Sequence, residues 1–567
     1  MFFLTVIVIL GQVAPGMKVD IVRFAGNKSF SRRVLVNIVQ VKPGALAMEA
    51  LLDEDARTLE EFYRNEGFFD VQVQKGLGVV TQKVVATFYI QEGVRAKVAD
   101  VGFEGNRAFT AERLKRVLKF GARTPFSLPS VKAGTQSLRN LYLNAGYPFV
   151  TVEDSFERRD TLVLVRYRVE EGPRCYIRDV RVRGNKSVRT ATILQSVEIK
   201  KGEMFSRRRL EEAQRRVYAM KVFSRVLFYV TPDSLASDSV VVRFDVVEGT
   251  QQGIALGVGL ETPPSRALFS VEWEHNNVMN RGQWLIAEVM FSPDLSKNYR
   301  SSFDLTWRVP YLFWTRVDFQ SHPFFYYERF DSARQREYGI ENGLQKDIAP
   351  QLRLGLFNRL RLVADTSRGI TNSLALSLIY DSRDNFFDPQ RGVYFQPGLE
   401  VAGGILLGEN DFVRGVADIR VYQSLRRGFV FAARGLGGRV IPYGRSASVP
   451  YYEEFSLGGK NNLRGYPDRA LGPDTARGGR YGPVILNASV EVRSPYILRW
   501  VGVIGFIDWG QIAGQRDLKL RGFEVGAGFG LRLRTPVGPI RLDWGKRLKG
   551  APAGDWGRIY FGVLHAF

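Results

Sequence analysis

The sequence predicts three small α+β modules followed by a large antiparallel β-barrel that spans a membrane. A Gly-Asn pair recurs 79 residues apart, beginning at Gly26, Gly105 and Gly184, and a fixed period of this kind indicates an array of similar domains. After about residue 252 the repeats stop, and short β-like runs alternate with turns. No run of about 18 apolar residues occurs, so a membrane domain here would have to be built from strands.

Each module is predicted to contain one strand, two helices and two further strands. In the first module, residues 31–40 and 51–65 have helical spacing, whereas 71–74 and 84–90 have the pattern of strands. The same order recurs twice, and a Glu-Gly pair closes each module, at Glu92, Glu171 and Glu248. A three-stranded sheet of this kind has an edge that can accept an extended peptide. The alternative is that the modules act only as spacers.

These signals give five segments. Residues 17–95, 96–175 and 176–251 are the three modules, and residues 252–567 are the barrel. Residues 1–16 begin with the apolar run MFFLTVIVIL, which is too short to cross a bilayer and is typical of a secretory signal. The alternative for this segment is a buried first strand.

The amino-acid composition limits the classes of function that this protein can have. Lysine and arginine exceed aspartate and glutamate by 22 charges, an excess that could indicate nucleic-acid binding. The charge is spread along the chain without a dense basic run, and a phosphate-rich membrane surface is an equally good match for it. One cysteine excludes an internal disulfide and a multi-cysteine zinc site, and three histidines offer little for acid–base chemistry. We therefore expect no catalytic residues, no metal site, no cofactor and no enzyme activity.

The barrel prediction depends on alternation and on strand number. Phe269, Val271 and Trp273 alternate with polar neighbours, as expected for a strand with lipid on one side and a wet lumen on the other. About sixteen such strands can be counted. Aromatic clusters at 311–314 and 324–327 are predicted to lie at the membrane boundaries. The alternative is a large soluble β-sandwich or propeller.

The longest stretch without strand character, at about 439–483, contains Leu463, Arg464, Gly465 and Tyr466. A loop of this length is usually functional. Farther along, Phe506, Asp508 and Gly510 share one face of a strand, and the carboxylate should face the lumen because a bare charge toward lipid is costly.

The two ends of the barrel are predicted to meet weakly. The first strand contains Gly257 and Gly259, and glycine weakens strands. The last strand is predicted at 559–567, with Phe561 and Phe567 on one face. We expect this seam to open laterally.

Together these features resemble a known family. The modules resemble POTRA (polypeptide-transport-associated) domains over roughly residues 17–250. The barrel is similar to the outer-membrane assembly superfamily that includes BamA, TamA and two-partner secretion transporters. That family carries a Val-Arg-Gly-Phe/Tyr loop motif, in which Leu463 here replaces valine, and a Phe-x-Asp-x-Gly strand. Its Asp-x-Arg-Asn/Asp turn is matched by Asp381, Arg383 and Asp384, with Gly392 following.

The resemblance implies that Arg464 pairs with Asp508 inside the barrel, where the alternative is an exposed, unpaired arginine. It also implies an outer-membrane factor that receives unfolded β-barrel clients through periplasmic modules and inserts them at a lateral seam. Expected partners are those clients, periplasmic chaperones or accessory subunits, and outer-membrane lipids, with no nucleic acid. Two alternatives stay open: TamA-like or two-partner-type transport of specific passengers, and a passive porin-like channel.

Overall fold

The computed structural model describes residues 17–567 apart from 235, 262–265, 295–297, 313–314, 331–332, 366–367, 477–478, 498–499, 516–521, 536–537 and 552. Residues 1–16 lie outside this range, so the signal segment stays a prediction. Among the described residues, no helix is both long enough and apolar enough to cross a membrane. The chain divides into two compact units, one with most of the modules and one with the barrel and the segments Gly184–Ser196 and Arg216–Val226.

The first two modules have the predicted element order. The elements of the first module are β1 (Ile21–Ala25), α1 (Arg32–Ile38), α2 (Glu49–Asn65), β2 (Gln72–Val80) and β3 (Lys83–Gln91). Those of the second are β4 (Lys97–Glu104), α3 (Ala111–Val117), α4 (Leu128–Asn144), β5 (Thr151–Arg159) and β6 (Leu162–Glu170). The sheet orders are β1-β3-β2 and β4-β6-β5, with the first strand parallel to the central one. Apolar faces of the helices pack on one face of the sheet and form the core.

The third module adds a strand. Its elements are β7 (Tyr176–Arg183), α5 (Thr190–Val197), β8 (Glu203–Met204), α6 (Arg207–Tyr218), β9 (Phe223–Pro232) and β10 (Ser239–Glu248), and its sheet order is β8-β7-β10-β9. The short β8 pairs with the start of β7. In the other modules the same position is occupied only by isolated bridges, Lys18 to Leu46 and Lys97 to Pro125. The predicted three-stranded sheet is therefore correct for two modules and one strand short in the third.

The recurring sequence pairs form one local lock in each module. Gly26 has a φ of 87°, and a side chain there would strike the carbonyl of Ile90. Asn27 donates to the carbonyl of Phe30 at 2.9 Å, while the carboxylate of Glu92 accepts the N–H groups of two residues of the same turn. The same lock recurs at Gly105, Asn106 and Glu171 and at Gly184, Asn185 and Glu248.

The second unit contains a 16-stranded sheet in which every neighbouring pair is antiparallel. Its strands are β11 (Gln252–Glu261), β12 (Arg266–Val278), β13 (Gln283–Pro293), β14 (Tyr299–Val309), β15 (Val317–Phe330), β16 (Ala333–Ala349), β17 (Leu352–Asp365), β18 (Gly369–Asp381), β19 (Gly392–Ala402), β20 (Phe412–Ser424), β21 (Val430–Pro442), then, after a separate hairpin of β22 (Asp474–Ala476) and β23 (Gly479–Tyr481), β24 (Val484–Arg493), β25 (Val501–Ala513), β26 (Glu524–Leu533), β27 (Ile540–Arg547) and β28 (Arg558–Val563). The predicted strand number is confirmed. Apolar side chains cover the outer face, and charged ones point inward.

The first and last strands of this sheet, β11 and β28, lie side by side but are not paired. Their Cα atoms approach within 8 Å, yet no backbone ladder joins the described residues of β11 to β28. On β11, Leu256 and Val258 are about 80% exposed on the outer face, and Gly257 and Gly259 alternate with them toward the lumen. Phe561 lies on the outer face of β28.

The predicted last strand, 559–567, is wrong beyond Val563. Leu564 has a left-handed φ of 66°, which turns the chain out of the strand. His565 Nε2 then lies 2.9 Å from Asp388 Oδ1, and Phe567 is buried against Tyr422 of β20. Burial of this aromatic ring inside the lumen replaces continued pairing at the wall, so Phe567 does not line the seam.

Candidate functional site: a lumen loop held at two anchors

The loop between β21 and β24 covers residues 443–483, a slightly shorter stretch than predicted because β21 extends to Pro442. It contacts inward-facing side chains of the barrel strands, so it occupies the lumen. Two sets of buried charges hold it there. We call them the arginine anchor, Arg464 with Asp508, Glu491 and Asp543, and the glutamate anchor, Glu453 with Arg359, Arg361 and Arg414.

In the arginine anchor, the guanidinium of Arg464 is held by two parallel hydrogen bonds. Its Nε and Nη2 donate to the two carboxylate oxygens of Asp508, each at 2.8 Å, and the backbone N–H of Arg464 donates to Asp508 Oδ2 at 3.0 Å. Arg464 is 1% exposed. The predicted pair is therefore present, and the alternative of an exposed arginine is excluded.

Two further carboxylates complete this anchor, and the sequence pattern did not indicate them. Nη1 of Arg464 donates to Glu491 on β24 at 2.8 Å and lies 3.3 Å from Asp543 on β27. The ring of Phe506 lies under the guanidinium, 3.4 Å from its carbon to the ring centroid. The three members of the predicted Phe-x-Asp-x-Gly strand thus face the loop, since Gly510 leaves the space that Leu457 of the loop occupies.

The loop motif also contacts the last strand of the barrel. The N–H of Gly465 donates to the hydroxyl of Tyr560 on β28 at 3.0 Å, and that hydroxyl donates to the carbonyl of Tyr466 at 2.8 Å. Gly465 has a φ of 100°, and a side chain there would strike the backbone of Lys546 on β27. Through Tyr560, the loop is tied to one side of the unpaired seam.

Tyr466 and Leu463, the outer members of the motif, are both buried. The hydroxyl of Tyr466 donates to Glu524 Oε2 at 2.8 Å, and its ring is buried beside Arg547. Leu463 is fully buried in an apolar cluster with Leu457. Replacing the family's valine by leucine therefore preserves an apolar contact.

The glutamate anchor holds the beginning of the loop against a different part of the wall, strands β17 and β20. Glu453 is buried and accepts from Arg414 at 2.9 Å, from Arg359 at 3.2 Å and from Arg361 at 3.3 Å. Glu400 of β19 bridges two of these arginines, at 2.6 and 2.8 Å. Sequence reasoning missed this anchor, because Glu453 lies in no motif and its partners come from strands about 40 to 95 residues earlier.

The predicted turn motif lies elsewhere, between β18 and β19. Arg383 donates to both oxygens of Asp381, at 2.9 and 2.7 Å, and Asp384 accepts the N–H groups of two residues that close the turn. Gly392 has a φ of 115°, and the carbonyl of Ser382 occupies the place of a side chain. These residues shape the turn that carries Asp388, the partner of His565, and do not contact the lumen loop.

The chain matches two families of known domains, one over the modules and one over the barrel. Residues 277–567, slightly more than half of the chain, match the sequence model of the Omp85 superfamily domain. Residues 17–93, 96–172 and 175–249 each match the POTRA repeat, described as a surface antigen variable number repeat.

Individual relatives extend over most of the chain. An outer membrane protein assembly factor BamA of Nitratidesulfovibrio vulgaris is 24% identical, over 92% of this chain and 68% of the relative. A BamA of Neorickettsia risticii is 20% identical, over 96% of this chain and 78% of the relative. The crystal structure of BamA from Haemophilus ducreyi lacking POTRA domains 1–3 is similar in fold, with a TM-score of 0.65, 17% identity, and coverage of 83% of this chain and 98% of that one.

Proposed function

The chain belongs to the Omp85 superfamily, and from that premise we propose that it assembles β-barrel proteins into the bacterial outer membrane. It lies in that membrane, with its POTRA modules in the periplasm. The observation that carries the proposal is the seam between β11 and β28, where two neighbouring strands stand side by side without a backbone ladder.

An unpaired strand edge can template another strand. The N–H and C=O groups of β11 that face the seam have no partner strand among the described residues, and a client strand would satisfy them. β28 has only six residues and forms no ladder with the described residues of β11, so no existing ladder has to be broken before a client strand pairs. This process requires no covalent step.

The modules supply the route to the seam. Each presents outer strands to which an extended client, a chaperone or an accessory subunit could add by backbone pairing. The lumen loop then steadies the wall next to the opening, because Tyr560 joins the motif of the arginine anchor to β28.

The two alternatives are less favoured. A passive porin would also use an inward loop, as a pore constriction, but it would need no repeats, whereas three POTRA repeats precede the barrel here. Transport of specific passengers would use the same barrel. The relatives named above carry the name of assembly factors, and they favour insertion.

Locking the seam tests the proposal. In a Cys175→Ser background, Leu256→Cys with Phe561→Cys (register scanned at neighbouring residues) should cross-link β11 to β28. Liposomes containing the oxidised protein should then lose folding of an added barrel client, and reduction should restore it. The matched control is Leu256→Cys with Val271→Cys, which lie opposite each other in the existing β11–β12 ladder. Unchanged client folding with the seam locked would refute the lateral seam, and loss with the control lock would show that the assay reports damage.

A further inference from the structure

We propose that a groove on the outer face of the barrel, beside helix α5 of the third module, binds one glycerophospholipid of the periplasmic leaflet. The groove has a volume of about 1010 Å³, at the upper end of the roughly 300–1,000 Å³ typical of ligand sites. All of its lining residues belong to the compact unit of the barrel.

One wall of the groove is membrane-facing barrel surface. It includes Trp307 of β14, Phe319 of β15, Leu344 of β16, Leu356 of β17 and Leu374 of β18. Phe319, Leu344 and Leu356 lie opposite one another in register. On β17 the outward residues alternate with Arg359 and Arg361, which point into the lumen toward Glu453, so this wall faces hydrocarbon.

The other wall is helix α5, fixed at the rim of the barrel. Gln195 Nε2 donates to the carbonyl of Tyr311 at 3.0 Å, and the N–H of Arg189 donates to the carbonyl of Asn280 at 3.1 Å. Ile193 is buried, whereas Ala191 and Leu194 are exposed. A helix that exposes small and apolar residues next to a transmembrane wall suits the membrane interface.

Two arginines at the border of the groove provide positive charge for the phosphate of a phospholipid. Arg189 and Arg281 both border the groove and are exposed. Within the described part of the chain, neither guanidinium has a hydrogen-bond or ion-pair partner. Two free guanidinium groups at the water-facing end of an apolar groove complement a phosphate head group joined to acyl chains.

A peptide occupant is disfavoured by the backbone. β14 to β18 are interior strands, paired on both sides, so they offer no free N–H or C=O groups for an added strand. Binding of a diacyl lipid does not require free backbone N–H or C=O groups.

Photolabelling of the full chain in phosphatidylcholine liposomes tests the site. The probe is phosphatidylglycerol with a diazirine near the end of one acyl chain, and the adducts are mapped by peptide mass spectrometry. We expect adducts to concentrate at 307–312 and 342–358 relative to the outer face of β25 and β26. Arg189→Gln with Arg281→Gln should reduce them roughly tenfold. Ala191→Trp, which fills the groove and keeps both arginines, should reduce them as well.

Two controls make the outcome decisive. Arg426→Gln with Arg427→Gln removes the same charge from an exposed turn between β20 and β21 and should leave labelling unchanged. A diacylglycerol carrying the same diazirine chain but no phosphate should label the groove no more than the rest of the barrel. Uniform labelling, equal labelling by the diacylglycerol, insensitivity to both groove variants, or a protein cross-linked at these residues in place of lipid would each overturn the proposal. Variants are compared only after circular dichroism confirms a folded barrel.

Discussion

The two anchors of the lumen loop have opposite charge arrangements. In the middle of the loop, a cation, Arg464, meets carboxylates of the wall. Near the beginning of the loop, an anion, Glu453, meets arginines of the wall. These opposite charges give the loop one favourable orientation in the lumen, because exchanging the two positions would bring like charges together.

The anchors differ in their access to water. Arg464 and its three carboxylates are at most 1% exposed, whereas the side chains of Arg359, Arg361 and Arg414 are 13–24% exposed. Breaking a dry charge cluster leaves charges that water cannot reach, so the loss is large. At the partly hydrated anchor, water can replace a missing partner. The arginine anchor should therefore govern stability, and the glutamate anchor should chiefly set the position of the loop.

The largest effect is expected from Arg464→Ala. The substitution leaves Asp508, Glu491 and Asp543 buried without their shared cation, which should cost about 3–5 kcal/mol of unfolding free energy. Client folding in liposomes should fall with it. Thermal unfolding in detergent measures the first effect, and refolding of an added barrel client measures the second. Unchanged client folding in an intact barrel would remove this anchor from the mechanism.

Glu453→Gln should be less severe, at about 1–3 kcal/mol of unfolding free energy. Arg359 and Arg414 keep Glu400, Arg361 keeps Glu337, and all three arginines keep some water. A double-mutant cycle with Arg414→Gln sharpens the comparison, since the pair should couple by about 1 kcal/mol or more. A loss equal to that of Arg464→Ala under the same conditions would contradict the difference in hydration.

Tyr560→Phe tests a link that the glutamate anchor lacks. The variant removes the hydroxyl that joins Gly465 and Tyr466 to β28, at an expected cost of about 1–2 kcal/mol. Because the lost bonds lie beside the seam, hydrogen exchange should rise in β28 more than in β18. Equal changes in both strands would mean that the hydroxyl has no local role at the seam.

The smallest effect is expected at the glutamate locks of the modules, which are single carboxylates without a guanidinium partner in the lock. Partial burial opposes ionisation of Glu92, but hydrogen bonds from Ser29, Lys28 and Tyr63 outweigh it and hold its pKa below the usual value. The stability that Glu92 contributes is therefore full above about pH 4.5 and is lost as the pH falls through the lowered pKa.

Amide protection factors at Lys28 and Ser29 should show this loss on acidification, by about 1 kcal/mol. Glu92→Gln is the matched control. It should show weaker protection at neutral pH and little further change in acid, and a pH response equal to that of the unmodified chain would assign the effect to another group.

The Arg464–Asp508 pair of the arginine anchor could be predicted because both residues stand in local sequence motifs that resemble those of the family, whereas Glu491 and Asp543 stand in none. Arg464 stands in a four-residue motif, and Phe506, Asp508 and Gly510 obey the period of two that places them on one face. The glutamate anchor has no such pattern, because its partners meet only after the barrel closes. The same limit applies to the third module, whose β8 is only two residues long.

Some predictions for the barrel were wrong where the alternation of apolar and polar residues was weak or misleading. The aromatic run Phe324–Tyr327 lies in the middle of β15, where Tyr326 donates to Asp304 in the lumen, and not at a membrane boundary. Of the other predicted cluster, residues 313–314 lie outside the described part of the chain. Phe567 keeps the parity of β28, so no local signal shows that the chain turns inward at Leu564.

The strands that form the wall of the barrel differ widely in length. β16 has seventeen residues and β28 has six, which at about 3.4 Å per residue corresponds to roughly 58 Å and 20 Å of strand, against a hydrocarbon core of about 30 Å. Even with strand tilt, acyl chains beside the short side must compress or disorder to match the protein, whereas those beside the tall side need not. We therefore expect the bilayer to be thinner and less ordered beside β28 than beside β16, which is the side on which the proposed seam lies.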